Sequence, residues 1–200
     1  NNHFLLPGSP GIRFSNYFRL MQRIDSHVHF WDYDPVRNAW ITEEMEVIRR
    51  DFLPGDLEPL LKDNRIDGCI LVQVNQTEEE NDFFLKLAAG YSFIKGIVGW
   101  VDLGAENIRG RLQHYKTEKK IRGFRHILQD EEDRACMLQP GFCRGIGALR
   151  EFGFTYDLLI YPDQLPFVRQ LVKTFPEQPF IIDHLAKPRI RNEEIVEWKK

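Results

Sequence analysis

A chain of 200 residues with 42% hydrophobic side chains has enough apolar mass for one sizeable core. Its formal net charge of -3 gives no pull toward nucleic acid or an anionic membrane surface, so both are excluded as partners, and the longest apolar runs fall short of the roughly 18 to 20 residues that cross a bilayer. The three cysteines, Cys69, Cys136 and Cys143, make no CxxC pair, which argues against a disulfide framework or a cysteine zinc site and places the chain in a reducing cytoplasm.

Residues 1–20 carry Pro7, Gly8, Pro10 and Gly11 and show neither a helical nor a strand period. They are expected to be a disordered or loosely packed extension ahead of a natural start at Met21, with His3 no ligand. Beyond Met21 a short β-branched run repeatedly precedes a longer amphipathic stretch. The expected strands are Arg23 to His29, Asp67 to Val74, Ile94 to Val101, Ile121 to Ile127, Thr155 to Ile160 and Phe180 to His184. The expected helices are Leu57 to Asn64, Glu78 to Gly90, Ala105 to Tyr115, Gly141 to Phe152 and Pro162 to Phe175, with another starting at Asn192. Strand spacing of about 25 to 35 residues is that of a βα unit and implies parallel strands. Runs such as Cys69-Ile70-Leu71-Val72 are apolar on both faces, as in a sheet covered by helices.

Such a series builds either an open doubly wound sheet or a TIM barrel. Polar residues at successive strand ends favour the barrel: His27 and His29, Gln73 and Asn75, Asp102, Arg125 and His126, Asp157, and Asp183 with His184. No Gly-rich phosphate loop follows any strand, which removes the case for a nucleotide. The expectation is therefore an α/β TIM barrel over residues 21–200 with about six of its eight βα units present. As a fragment without the last two, it leaves the first and sixth strands as unpaired edges. The long connection from Phe30 to Pro54 carries Trp31 and Trp40, either as a pocket wall or as packing on the rim.

Side chains at i and i+2 of a strand share a face, so His27 and His29 can chelate one ion while Val28 points the other way. If the ends of strands one, four and six meet at one mouth, His126 and His184 join them; His114, in a charged helix, is expected at the surface. By the same alternation Asp183 is expected to face away from His184, toward the helices.

Three segments in this order, Ile24-Asp25-Ser26-His27-Val28-His29-Phe30-Trp31, Gly123-Phe124-Arg125-His126 and Ile182-Asp183-His184-Leu185-Ala186-Lys187-Pro188, resemble the amidohydrolase superfamily. They are most similar to its branch of TIM-barrel metal-dependent hydrolases that contains the sugar lactonases. The resemblance implies a hydrolase opening a sugar-acid lactone. His27, His29 and His184 would hold a divalent metal such as zinc, and His126 and His184 would be catalytic. Such an ion polarises a carbonyl and lowers the pKa of water toward about 7. The family's strand-eight aspartate, which takes the proton from water, has no counterpart here, so the 200-residue chain is expected to be inactive by itself. Trp31, Gln73, Arg125 and Lys187 are the candidates for holding a small substrate, and a homo-oligomer is compatible with the sequence. A decarboxylase or hydratase of the same superfamily, or a binding protein on the same fold, remains the alternative. A serine or cysteine nucleophile has no supporting motif.

Overall fold

Six strands in the order β1-β2-β3-β4-β5-β6, every neighbouring pair parallel, form a single curled sheet in the computed structural model, which describes residues 21–193, 195, 196, 198 and 199. The extension expected over 1–20, with His3, lies outside the described residues. The strands are β1 (Ile24–Val28), β2 (Gly68–Val72), β3 (Ile94–Gly99), β4 (Ile121–His126), β5 (Thr155–Leu158) and β6 (Phe180–Ile182). All six coincide with the β-branched runs read from the sequence, trimmed at their ends. Adding each new strand beside the previous one, always in the same direction, is the winding of a barrel wall. Among the described residues β1 and β6 remain the two edges, and Ile181 and Ile182 are about half exposed on the second.

Among the described residues five α-helices follow strands or connections: α1 (Pro54–Asp63), α2 (Glu78–Gly90), α3 (Ile108–Tyr115), α4 (Pro140–Phe152) and α5 (Leu165–Thr174). Proline at the first position opens α1 and α4, where its missing N–H costs nothing. Asp56 accepts a hydrogen bond from the Leu53 N–H at the head of α1. Gly153, at φ 76°, closes α4 in the left-handed conformation that a side chain resists. In α2 the buried positions Asn81, Phe84 and Ala88 follow the three- and four-residue spacing of one helix face. That face meets the sheet: Asn81 receives the Trp100 N–H on Oδ1 and donates Nδ2–H to the Trp100 carbonyl. A Cβ on Gly99 would lie 2.2 Å from Asn81 Oδ1, so glycine permits this approach.

The core is continuous between sheet and helices, with Leu71, Ile97, Phe124, Tyr156 and Leu158 from strands against Phe84, Leu112, Ile146, Leu149 and Leu171 from helices. Two expectations fail at the end of the chain. No helix starts at Asn192 among the described residues: Ile190–Asn192 is a 3-10 turn, and Glu193 takes φ 58°, which a right-handed helix cannot continue. β6 also stops at Ile182, two residues early, because His184, Leu185, Ala186 and Lys187 all adopt positive φ, between 49° and 58°. Four consecutive non-glycine residues in the left-handed region make one turn of opposite hand, at a cost of roughly 1 to 2 kcal/mol per residue.

Candidate active site

His27, near the end of β1, is the hub of the site. Its Nε2 lies 3.1 Å from His29 Nε2, its Nδ1 3.6 Å from Asp183 Oδ1, and its ring centroid 4.7 Å from that of His184. His27, Asp183 and His184 offer ligand atoms within 4.8 Å of one another, close enough to hold one metal ion. His27 is thus brought to His184, while His29 lies against His27 and outside that group of three. Asp183 corrects the reading that placed it against the helices. It is 4% exposed and sits on the same side as His184, because strand alternation ends before it and the left-handed turn redirects the chain.

Hydrogen bonding fixes the tautomer of His29. The Val72 carbonyl can only accept, so His29 Nδ1, 2.8 Å away, donates and its Nε2 is bare. His27 Nε2, 3.1 Å from His29 Nε2 and 3.4 Å from Arg125 Nη1, donates to the bare His29 nitrogen in one tautomer and accepts from the guanidinium in the other. A cation between the two nitrogens would take the place of the proton they share at 3.1 Å. Imidazole nitrogens about 2.1 Å from one tetrahedral ion stand about 3.4 Å apart, near the observed value. Burial, then the Arg125 charge, lowers the His29 pKa to about 4, and burial also lowers that of His27, so both stay neutral as ligation requires. The donor set, two or three neutral imidazoles with a carboxylate, fits a divalent metal.

Arg125, 4% exposed, forms the floor. Its Nε donates to Gln73 Oε1 at 2.9 Å, Nη2 donates to the Gln73 carbonyl, and Nη1 donates to Asp183 Oδ2 at 2.8 Å. Gln73 is fully buried, and its Nε2 has no hydrogen-bond partner. Asp157, opposite Arg125 in the β4–β5 register, is also buried with Oδ1 unpartnered. Burial, followed by the nearby Asp183 charge, raises its pKa to about 7 against the pull of Arg125, so its carboxyl can hold a proton near neutrality. The sequence places Asp157 at a strand end but gives no sign of this environment.

His126 is not brought to the cluster. It follows Arg125 on β4 and so faces the other layer, where its Nδ1 accepts from Trp100 Nε1 at 3.3 Å, its Nε2 bonds Glu131 Oε1 at 2.7 Å, and its ring packs edge-on against Phe142. His114 is exposed, as expected. Trp31 and Lys187 sit on two separate cavities at strand ends. Trp31 packs on Phe52 and Trp40 and borders a cavity of about 520 Å³ with Asp32, Asn75 and Glu80, so it is both wall and packing. Glu80, missed in the sequence, accepts from the Val74 and Asn75 N–H groups, and burial raises its pKa to about 7. Lys187 donates to Gln129 Oε1, lies over the Tyr161 ring and borders a cavity of about 1030 Å³ with Arg134 and Arg189; burial lowers its pKa. Burial raises the thiol pKa of Cys69 to about 12 and that of Cys136 to about 11, which keeps both from serving as thiolate nucleophiles.

Comparison with known proteins agrees with this fold. The amidohydrolase family model matches residues 24–200. The chain belongs to that family. Two curated relatives of this amidohydrolase are L-fucono-1,5-lactonases. One, from Burkholderia multivorans, is 38% identical over 169 residues, covering 84% of this chain and 57% of the relative; the other, from Burkholderia ambifaria, is 33% identical over 176 residues, covering 88% and 61%. The chain therefore spans about six tenths of the length of the curated relatives it matches. A crystal structure of an amidohydrolase from Burkholderia multivorans with bound zinc superposes with a TM-score of 0.85 at 36% identity, covering 90% of this chain and 64% of that one. The sheet of this amidohydrolase is accordingly a partial barrel. No helix among its described residues is long and apolar enough to cross a membrane.

Proposed function

We propose that this chain carries the histidine side of the active site of a hydrolase that opens a sugar-acid lactone, of the L-fucono- or L-rhamnonolactone kind, with zinc as its divalent metal. The observation that carries the reading is the convergence of His27, Asp183 and His184, with His29 beside His27, in an amidohydrolase fold whose curated relatives are fuconolactonases. Serving a small soluble metabolite, the protein would work in the cytoplasm, with neither nucleic acid nor membrane as partner.

In this reading His27, Asp183 and His184 hold the ion, with His29 as the further nitrogen beside His27. When bound, such an ion supplies Lewis acidity toward a carbonyl oxygen and lowers the pKa of water toward about 7. His29 remains neutral through the physiological range, since its pKa is about 4. Its Nδ1–H bond to Val72 holds the ring in one orientation and keeps Nε2 free. His184 stands nearest the substrate, being the exposed member of the set. Gln73, fully buried, holds the Arg125 guanidinium through its side chain and carbonyl. The donors of Arg125 are taken by Gln73 and Asp183, while Lys187 and Trp31 border separate cavities, either of which offers a place for a substrate. His126 stands apart from this chemistry and anchors the Glu131 loop to Trp100 instead.

The test is a substrate panel with the protein that contains this chain. Sugar-acid 1,5-lactones should be hydrolysed, with a pH indicator following the acid released, and His27→Ala should abolish turnover. Decarboxylation of aromatic carboxylic acids with no action on any lactone would refute the assignment.

A further inference from the structure

One nitrogen of Arg125 serves two partners at once. Its Nη1 donates to Asp183 Oδ2 at 2.8 Å and lies 3.4 Å from His27 Nε2, so it engages two of the groups that would hold an ion. The rest of the guanidinium is pinned from β4 across to the Gln73 side chain and carbonyl. Buried to 4% exposure, it has little water to compensate for a lost partner. A metal drawing on Asp183 and His27 must therefore either take the carboxylate from Arg125 or share it beside a fixed positive charge.

We propose that Arg125 is a built-in counter-cation that competes with divalent metal for Asp183 and His27. It neutralises Asp183 and stands beside His27 Nε2, so both groups have a partner other than a metal. The same contacts weaken metal binding. A charge-assisted hydrogen bond to a buried carboxylate is worth a factor of about ten to a hundred in an equilibrium, which sets the expected size of the effect. The inference rests on the assignment of His27, Asp183 and His184 as metal ligands.

The experiment is a zinc titration of the 200-residue chain by calorimetry, comparing wild type with Arg125→Met, Arg125→Lys and His27→Ala. Arg125→Met should bind zinc about ten- to a hundredfold more tightly, Arg125→Lys should stay within a few-fold of wild type, and His27→Ala should lose binding. Unchanged or weaker binding by a folded Arg125→Met, judged by circular dichroism, would overturn the counter-cation role while leaving the ligand assignment intact. If wild type binds zinc no more tightly than His27→Ala does, the ligand assignment itself is wrong, and the competition with it. Should Arg125→Met not fold, the Arg125 Nε–H resonance of isotopically labelled wild type decides: it should move on zinc saturation as the guanidinium yields Asp183, and a resonance unmoved by zinc refutes the competition.

Discussion

Replacing Asp157 by asparagine should stabilise the fold, and only above acidic pH. The Asp157 carboxyl is 4% exposed with one oxygen unpartnered, and burial raises its pKa from 3.8 to about 7. A folded-state pKa above the unfolded value means that the native state binds more protons between those limits. Stability therefore falls as pH rises from about 4 to about 7 and levels off beyond. A shift of this size corresponds to about 4 kcal/mol at pH 8. The amide introduced by Asp157→Asn keeps the shape of the carboxyl and carries no charge, so the variant should equal wild type at pH 4 and exceed it by several kcal/mol at pH 8. Urea titrations of both proteins at pH 4, 6 and 8 measure this directly. Because Glu80 also titrates at about 7, the difference between the proteins, and not the wild-type slope, isolates Asp157. A difference that is the same at all three pH values would refute the reasoning, as would a variant less stable at pH 8.

Gly99→Ala should cost about 2 kcal/mol in thermal or urea unfolding, since the new Cβ meets Asn81 Oδ1 at 2.2 Å and disturbs both hydrogen bonds to Trp100. The double variant with Asn81→Ala should lose less than the sum of the two single effects. Leu185→Gly should raise stability by about 0.5 kcal/mol: at φ 54° and 64% exposed, Leu185 bears left-handed strain worth roughly 1 to 2 kcal/mol, part of which glycine returns as unfolded-state entropy. A lower melting temperature would show that the turn is held by that side chain. His126→Ala should leave zinc affinity unchanged while lowering stability by about 1 kcal/mol, whereas His29→Ala should weaken zinc binding about a hundredfold with little loss of fold. Calorimetry and melting on the two proteins separate the roles, and zinc affinity lost in His126→Ala would return that residue to the site.

The strands were legible because burial on both faces demands unbroken apolar runs, and Cys69-Ile70-Leu71-Val72 has no other good use. His27 and His29 followed from the period of two. The same period failed at Asp183, since it presumes that the strand continues, and no glycine marks the left-handed turn that ends it. At Arg125-His126 the sequence shows two polar neighbours, of which alternation sends one inward and one outward without saying which. The parity of Phe124, packed on Tyr115 and Phe154, is the signal that assigns His126 to the outer layer. Asp157 and Glu80 owe their shifted titration to what surrounds them, which depends on contacts between separate βα units and leaves no trace in local spacing.

β1 and β6 are the two margins of the sheet, and beyond their ends the rings of His27 and His184 stand 4.7 Å apart. On the proposed assignment, an ion held by both would be a clasp on an otherwise open wall. It favours the closed form by about 2.7 kcal/mol once free metal reaches a hundred times its dissociation constant. Resistance to unfolding then follows the metal supply of the surroundings, and a chelator loosens the wall at its seam without entering the core.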